Sequence, residues 1–491
     1  MSRRRTPTKP PDRTPPKDGS PLGHLSDAEL YEELVRRRMP KAVGPLEVVE
    51  TRAEDMGQRA GEVMLEATIA SLPPEDSTPK PCPKCGQPVP VKTRNRVRHL
   101  MTLAGELRLS RNYHYCRGCR RGFYPRDLEL KLPEAGEVSD AMERRILDFG
   151  INDTFESASE RWGIHYPRPI SSNLVRRVIE RAGLRCEAAV SELTLQRACR
   201  ASPQEPVPAL VVATDGSMLQ TREESWREVK VAVVAHLKPS LEDGTPHHVS
   251  SPRYVAVLGG KTEFGLSVAA ALAAEHADEV AKVAWLGDGA PSNWKLASEL
   301  CPFAIQILDI IHGFQHGNDC GKVLLGEADP ALPLWRARIQ QLIEASQPDA
   351  LIRELLDCLP FTTTDGHLAA LDGLVAYYRT NEMRMQYAHF RELGLPVGSG
   401  IVESAHRHVL QARMKRSGQR WSLTRGRRMA RLRAAYRTAG PQRFHRALRD
   451  GLVAPTARKA PKTLPNGPRR AQRSYTLGRG SPLNRARLAS K

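Results

Sequence analysis

The chain has 491 residues, with 74 Lys and Arg against 55 Asp and Glu and a formal charge of +19. Clustered cations in that excess exclude an acidic, solvating chain and point to a polyanionic partner, nucleic acid foremost. No window approaches ~18 uninterrupted apolar residues, which excludes a helical membrane span, and the length suits about three domains of ~100–200 residues.

Nine cysteines are present, four in two CxxC pairs and five scattered: Cys186, Cys199, Cys301, Cys320 and Cys358. The odd count points to a reducing, cytoplasmic setting. The opening MSRRRTPTKPPDRTPPKDGSP has no apolar core of a secretory signal. Residues 1–25 are rich in Pro and cations and read as a disordered basic arm. Residues 26–75 read as helical, with Leu30, Leu34, Val48, Val49, Met56, Val63, Met64 and Ile69 near helical spacing, and Pro73-Pro74 as the stop.

Residues 76–130 carry CPKC (Cys82, Cys85) and CRGC (Cys116, Cys119). Each pair can present two thiolates from one turn, and two such turns close a tetrahedron around zinc. The stretch between them alternates like two strands about an Ala104-Gly105 turn, so a zinc ribbon is expected. The gap is longer than the usual ~15–20 residues. Arginines 94, 96, 98, 108, 111, 117, 120 and 121 suggest that the ribbon faces DNA. Residues 135–200 read as three helices with a break at HYPRP. The last two resemble a helix-turn-helix that would aim Ser171, Ser172, Asn173, Arg176 and Arg177 at a groove; a plain helical linker is the alternative.

Residues 205–437 change character. ALVVATD, EVKVAVVAHL, RYVAVLGG, KVAWLGDGA and AIQILDIIH read as five strands, with helices EFGLSVAAALAAEHA and SNWKLASEL among them. Three antiparallel strands, helix, strand, helix, strand is the order of an α/β, RNase H-like catalytic core. That order puts acids at the ends of the first and fourth strands, Asp215 and Asp288. Asp309, with His312 three residues on, ends the fifth and is the alternative to Asp288 or an outlying contributor. Residues ~318–395 read as an inserted helical domain. Then comes GSGIVESAHRHVLQARMKRSGQRW, where one acid, Glu403, heads a basic run. Two Mg²⁺ or Mn²⁺ ions ~3.5–4 Å apart would need bridging carboxylates, and Asp215, Asp288 and Glu403 are the candidates. Arg407, Arg413, Lys415, Arg416, Arg420 and Trp421 are then expected to contact DNA, and the arginines from 425 to 433 to continue that surface. Residues 438–491 read as a basic tail, mostly disordered.

These stretches, CPKCG and CRGC, VVATDGSM, REVKVAVV, GDGAPSNW, ILDIIH and GSGIVESAHRHVLQARMKRSGQRWS, together resemble the DDE transposases of bacterial insertion sequences, in particular the ISKra-type family related to Mutator-like transposases. The resemblance covers about residues 80–437. It implies transposition at terminal inverted repeats, a DDE triad of Asp215, Asp288 and Glu403, DNA as partner, a homo-oligomer on DNA and a nucleoid-associated protein. Asp309 stands where Mutator-like relatives carry the Cys of a Cys-xx-His motif, and Ser292 where relatives often carry an aromatic. A nuclease without strand transfer and a domesticated DNA-binding regulator are the rival readings; the intact triad argues against the regulator.

Overall fold

The computed structural model describes residues 26–38, 44–133, 136–196, 209–239, 247–362, 364–398 and 400–450. The expected disordered arm (1–25) and most of the expected tail (451–491) lie outside them. The chain divides into two compact units, Met1–Leu132 and Pro133–Lys491. No helix among the described residues is long and apolar enough to cross a membrane.

The first unit opens with helices α1 (Asp27–Arg38) and α2 (Leu46–Ala70). Short strands β1 (Lys80–Pro81) and β2 (Pro88–Val89) pair antiparallel. Strands β3 (Val91–Met101), β4 (Glu106–Cys116) and β5 (Arg121–Phe123) form an antiparallel sheet in chain order, followed by α3 (Pro125–Glu129). The β3–β4 turn closes where expected, with Thr102 N donating to Gly105 O at 2.7 Å. Asp127 draws in Arg98 (3.0 Å) and Arg111, and the Arg111 guanidinium lies 3.9 Å from the Tyr124 ring centroid. Two of the ribbon's arginines are therefore held within the ribbon itself.

The second unit begins with α4 (Asp140–Asn152), α5 (Phe155–His165) and α6 (Ser172–Gln196). Ser139 and Thr154 cap α4 and α5 by accepting from Met142 N and Ser157 N. Ile146, Ile151, Trp162, Val175 and Val178 form their shared core, and Trp162 Nε1 donates to Arg168 O (2.8 Å), tying down the α5–α6 connection.

Strands β6 (Ala209–Gln220), β7 (Trp226–Pro239) and β8 (His247–Val257) then run as an antiparallel meander. Helix α7 (Lys261–Ala274) leads to β9 (Val283–Gly287), and α8 (Pro291–Leu300) to β10 (Ile305–Leu308). The sheet order is β10-β9-β6-β7-β8, with β9 and β10 parallel to β6. The ALVVA start of β6 and all of β9 are buried, the pattern of strands covered on both faces. The fifth strand is shorter than AIQILDIIH suggests. It stops at Leu308, and the Asp309 side chain caps the next helix by accepting from Ile311 N at 2.9 Å. An aspartate aimed at free helix N–H groups ends the strand despite the apolar residues after it.

Between β10 and the GSGIVES stretch the described residues form helices: α9 (Ile310–Leu325), α10 (Leu332–Glu344), α11 (Pro348–Cys358), α12 (Asp365–Asn381) and α13 (Tyr387–Glu392). Gly317 on α9 lets its neighbours approach closely: a Cβ there would lie 2.6 Å from Ile339 Cγ2 and 2.8 Å from the Tyr378 hydroxyl. Helix α14 (Gly400–Ala405) runs into a π-helical stretch, His406–Gln411, and then α15 (Ala412–Met414). Helix α16 (Leu423–Ala439) packs on β8 and α6, and α17 (Pro441–Asp450) packs back on it through Phe444 and Leu448, so the first part of the expected tail is helical.

Candidate active site

The sheet sets three acids at one level. Ala213 pairs with Leu286 across β6 and β9, and Leu308 pairs with Gly287 across β10 and β9. Asp215 and Asp288 each lie two residues beyond a matched pair, and Asp309 and Asp288 each one residue beyond another. Matched residues on neighbouring strands share a face, so the three aspartates lie at one level. Asp288 and Asp309 stand just past the carboxyl ends of β9 and β10. Asp215 is not at the end of its strand, as the sequence suggests, but in mid-β6, which continues to Gln220 in its pairing with β7. The backbone continues this pattern, with Asp309 N donating to Gly287 O at 2.9 Å.

Their settings differ. Asp215 is half-buried, and its Oδ1 accepts from Gly216 N at 2.6 Å. Its Oδ2 lies 3.0 Å from His406 Nε2, close enough for an ion pair, although neither His406 ring nitrogen makes a well-aligned hydrogen bond. Burial pushes the Asp215 carboxyl up. The neighbouring His406, the Gly216 N–H and the charge of His312 outweigh that and hold it below the ordinary carboxylate range. Asp288 Oδ1 accepts from Ala290 N (3.0 Å) and Asn293 Nδ2 (2.8 Å), which fixes the tight turn into α8. Asp309 is 1% exposed, with Oδ2 3.9 Å from His312 Nε2.

The helices after β10 reach these acids. The Tyr377 hydroxyl on α12 donates to Asp288 O (3.0 Å), and its ring stacks on His316 of α9 at 3.9 Å. Burial, with the nearby Asp288 and Asp309 charges, pushes the Tyr377 hydroxyl well up, so it remains a donor at neutral pH. Burial and the neighbouring His312 hold His316 below its usual value. Trp294 stands two residues beyond Ser292, where the resemblance expects an aromatic. It is buried against Gly287, donates to Asn381 Oδ1 (2.9 Å) and lies under the Arg384 guanidinium.

Gly289 makes the Asp288 turn possible. Its φ is +93°, and an added Cβ would lie 2.6 Å from Tyr377 Cε2 and 2.7 Å from its hydroxyl. Gly289→Ala should therefore cost ~1–3 kcal/mol in thermal unfolding from backbone strain. It should also move Tyr377 off the Asp288 carbonyl, so a variant that melts like the parent would contradict this role of the turn.

Glu403 is exposed on α14, which lies along β6 and β7. One turn later on the same helix face, His406 lies 3.0 Å from Asp215. A π-helical insertion follows at once, a feature frequent at functional sites. The carbonyls of His408 and Val409 within it, and of Ile151, accept from the buried Arg433. Lys415 Nζ donates to Ser217 Oγ at 2.5 Å, two residues along β6 from Asp215 and on the same face. The carboxylates do not converge tightly. Among the described residues, only the four cysteines bring three or more His, Cys, Asp or Glu ligand atoms within 4.8 Å of one another.

The expected DNA-contacting residues divide. Arg407, Lys415, Arg416 and Arg420 are exposed, as are Asn173 and Arg177, while Ser172 and Arg176 are half-buried. Arg177 pairs with Glu137 through two bonds, Arg176 with Glu180, and Arg416 lies 3.7 Å from Asp153. Arg413 and Trp421 are not surface residues. Arg413 is 1% exposed, between the Phe155 and Trp421 rings, and Trp421 is buried with Nε1 donating to Met414 O. The α16 arginines are likewise claimed from inside: Arg425 by Glu180, Arg428 by Glu187, Arg431 by Glu263 and Arg433 by the carbonyls above. The helix contains no acid of its own, but α6 and α7 supply them. The sequence places His406 first in the basic run after Glu403, without linking it to Asp215, and gives Asn293 no role. The three-residue step from Glu403 was the available signal for His406, since it places both on one helix face.

In the first unit the Cys82, Cys85, Cys116 and Cys119 sulfurs all lie within 4.8 Å of one another, with Cys85 and Cys116 at 3.7 Å. Zn–S bonds of ~2.3 Å in a tetrahedron place sulfurs ~3.8 Å apart, so the set can hold zinc. Backbone N–H groups of Cys85 and Lys84 pull the Cys82 thiol down to about 7, whereas contact with Cys85 pushes Cys119 up to about 12. Four crowded thiols cannot all ionise without a cation among them.

A mixed α/β protein with acids at one level across its parallel strands, preceded in the chain by a four-cysteine cluster, is the class that this fold and these sites define. The chain belongs to the uncharacterised protein family UPF0236, whose pattern matches residues 90–448. Among solved structures it is similar to the Drosophila P element transposase strand transfer complex, at 11% identity over 63% of this chain and 94% of that chain, with a TM-score of 0.32. No curated protein matches it.

Proposed function

We propose that the chain is a metal-dependent DDE transposase with an RNase H-like core. One observation carries the reading: the strand register that sets Asp215, Asp288 and Asp309 at one level, with Glu403 one turn from the histidine that touches Asp215. Asp215, Asp288 and Glu403 would hold two Mg²⁺ or Mn²⁺ ions, which when bound activate the attacking oxygen and stabilise the leaving one at a phosphodiester. Gly216 N and His406 keep the Asp215 carboxylate ionised and oriented. Ala290 N and Asn293 fix Asp288. Lys415, beside Asp215, is a point cation for a DNA phosphate. The +19 charge and the exposed cations around Glu403 support DNA as the partner.

The test is to incubate the purified chain with labelled DNA from the flanks of its gene, Mg²⁺ and a target plasmid. Cleavage followed by joined product is expected. Cleavage without joining would favour a nuclease, and no cleavage would overturn the reading. Glu403→Gln should abolish cleavage while DNA binding persists. Asp288→Asn and Asp309→Asn, compared side by side, assign the second acid. Asp309→Asn keeps an oxygen for the Ile311 N–H, and Asn caps a helix as well as Asp does, so this variant should also fold. The acid that holds metal is the one whose replacement abolishes cleavage. Asp288→Asn should lose activity with little loss of stability.

A further inference from the structure

We infer that α2 is a self-association helix that pairs antiparallel with α2 of a second copy of this chain. This does not rest on the proposed function. From Leu46 the residues Val49, Ala53, Met56, Ala60, Val63, Ala67 and Ala70 follow at alternating steps of three and four. Such a 3.5-residue repeat, held over three and a half heptads, is the signature of a helix packed along another helix. That partner is missing within the described residues. No residue of α2 is buried, and Leu46, Val49 and Val63 are 71%, 40% and 52% exposed. A different face, through Gln58 Nε2 on Leu103 O and Gly61 against Ala104, leans on the β3–β4 turn. The seam is therefore additional to the surface that the helix already uses.

Most helical stability in proteins comes from packing of an apolar face, and Gly57 and Gly61 in the interior weaken α2 by ~1 kcal/mol each. The charges indicate what covers the seam. The helix carries six acids against two arginines in a chain of net +19, so it is the wrong sign for DNA. In an antiparallel pair with Leu46 beside Ala70 of the second copy, every seam residue falls opposite a seam residue: 49 with 67, 53 with 63, 56 with 60. Arg52 then flanks Glu66 of the second copy, twice by symmetry. Arg59 approaches its own counterpart near the two-fold axis, where Glu62 of its own helix, 2.9 Å away, offsets the charge. A parallel pair would set Arg52 and Arg59 against Gly57 and Met64 and gain no ion pair. The seam is rich in alanine, which suits close approach of two helices.

The experiment is sedimentation of the full chain, loaded with zinc and free of DNA, over a concentration series. A dimer is expected. The double variant Val49→Glu/Val63→Glu should be monomeric at the same concentrations, with unchanged circular dichroism because both positions are exposed. Val48→Glu, exposed but off the seam, should remain dimeric. Arg52→Glu should weaken the dimer on the order of tenfold, a factor typical of ~1.4 kcal/mol, and Arg52→Glu/Glu66→Arg should restore it. A monomeric parent chain, or a dimer indifferent to the seam variant, overturns the inference. Loss of the dimer in the seam variant without rescue by the charge exchange overturns the antiparallel register. None of these readings depends on DNA cleavage, so a failed cleavage assay leaves them standing.

Discussion

Asp215→Asn is expected to reduce metal-dependent DNA cleavage by on the order of 10³-fold or more. Stabilising charge that develops on phosphoryl oxygens is worth several kcal/mol, and each ~1.4 kcal/mol is tenfold in rate. The fold should not suffer. Asn has the same shape, keeps an oxygen for the Gly216 N–H, and leaves the pairing of Asp215 with Val231 on β7 intact. It does remove the carboxylate charge that His406, the Gly216 N–H and His312 favour, so at neutral pH the unfolding midpoint without metal should fall slightly. The separating measurement is the thermal shift with Mn²⁺. A ligand at 100 times its Kd stabilises a folded protein by ~2.7 kcal/mol, and most of that gain should vanish in the variant. Unchanged cleavage, or the same metal-induced shift as the parent, would remove Asp215 from the site. His406→Ala gives the complementary case. It leaves all the acids in place but frees the Asp215 carboxylate, so metal stabilisation should persist while the rate falls.

Much of this arrangement was legible because strands and their acids announce themselves. ALVVATD and KVAWLGDGA are apolar runs ended by Asp-Gly, and a buried parallel strand must be apolar on both faces. The order of strands and helices then places the acids without any knowledge of side-chain contacts. The α16 arginines were harder. A helix with many cations and no acid looks like a phosphate surface until the distant acids are known, and Glu180, Glu187 and Glu263 lie on α6 and α7. Sequence proximity carries no information about such pairs. Arg413 and Trp421 were misjudged for a related reason. The π-helical stretch rotates the residues after His406 relative to those before it, so simple helical spacing from Glu403 no longer tells which side faces solvent. In ILDIIH the apolar residues after Asp309 read as strand, yet the cap geometry of the aspartate decides for helix.

Stripping the four-cysteine site should unfold the ribbon around it while leaving the second unit folded. The two halves of the site have little else to hold them. β1 and β2 are two residues each, and the cluster buried about the thiols is small: Cys82, Val89, Cys116 and Phe123, with Cys119 packed against it. Structural zinc contributes ~10–16 kcal/mol in small metal-dependent folds near neutral pH, more than such a cluster supplies. Without the ion, the thiols are either crowded and charged or protonated and poorly packed, since Cys82 and Cys119 are driven in opposite directions. The longer β3–β4 pairing has Leu100, Leu107 and Leu109 buried and the Asp127–Arg98–Arg111 cluster behind it, so it should outlast the knuckles. The expected result is one zinc per chain by elemental analysis, falling below stoichiometry in Cys116→Ala. Chelation should speed amide exchange across residues 80–89 and 114–123 first. Exchange in β6, β9 and β10 should remain slow, because those strands belong to the other unit and owe nothing to zinc. Slow exchange at the knuckles after complete stripping would show that the thiols pack well without a metal, and would reduce the cluster to a set of buried cysteines.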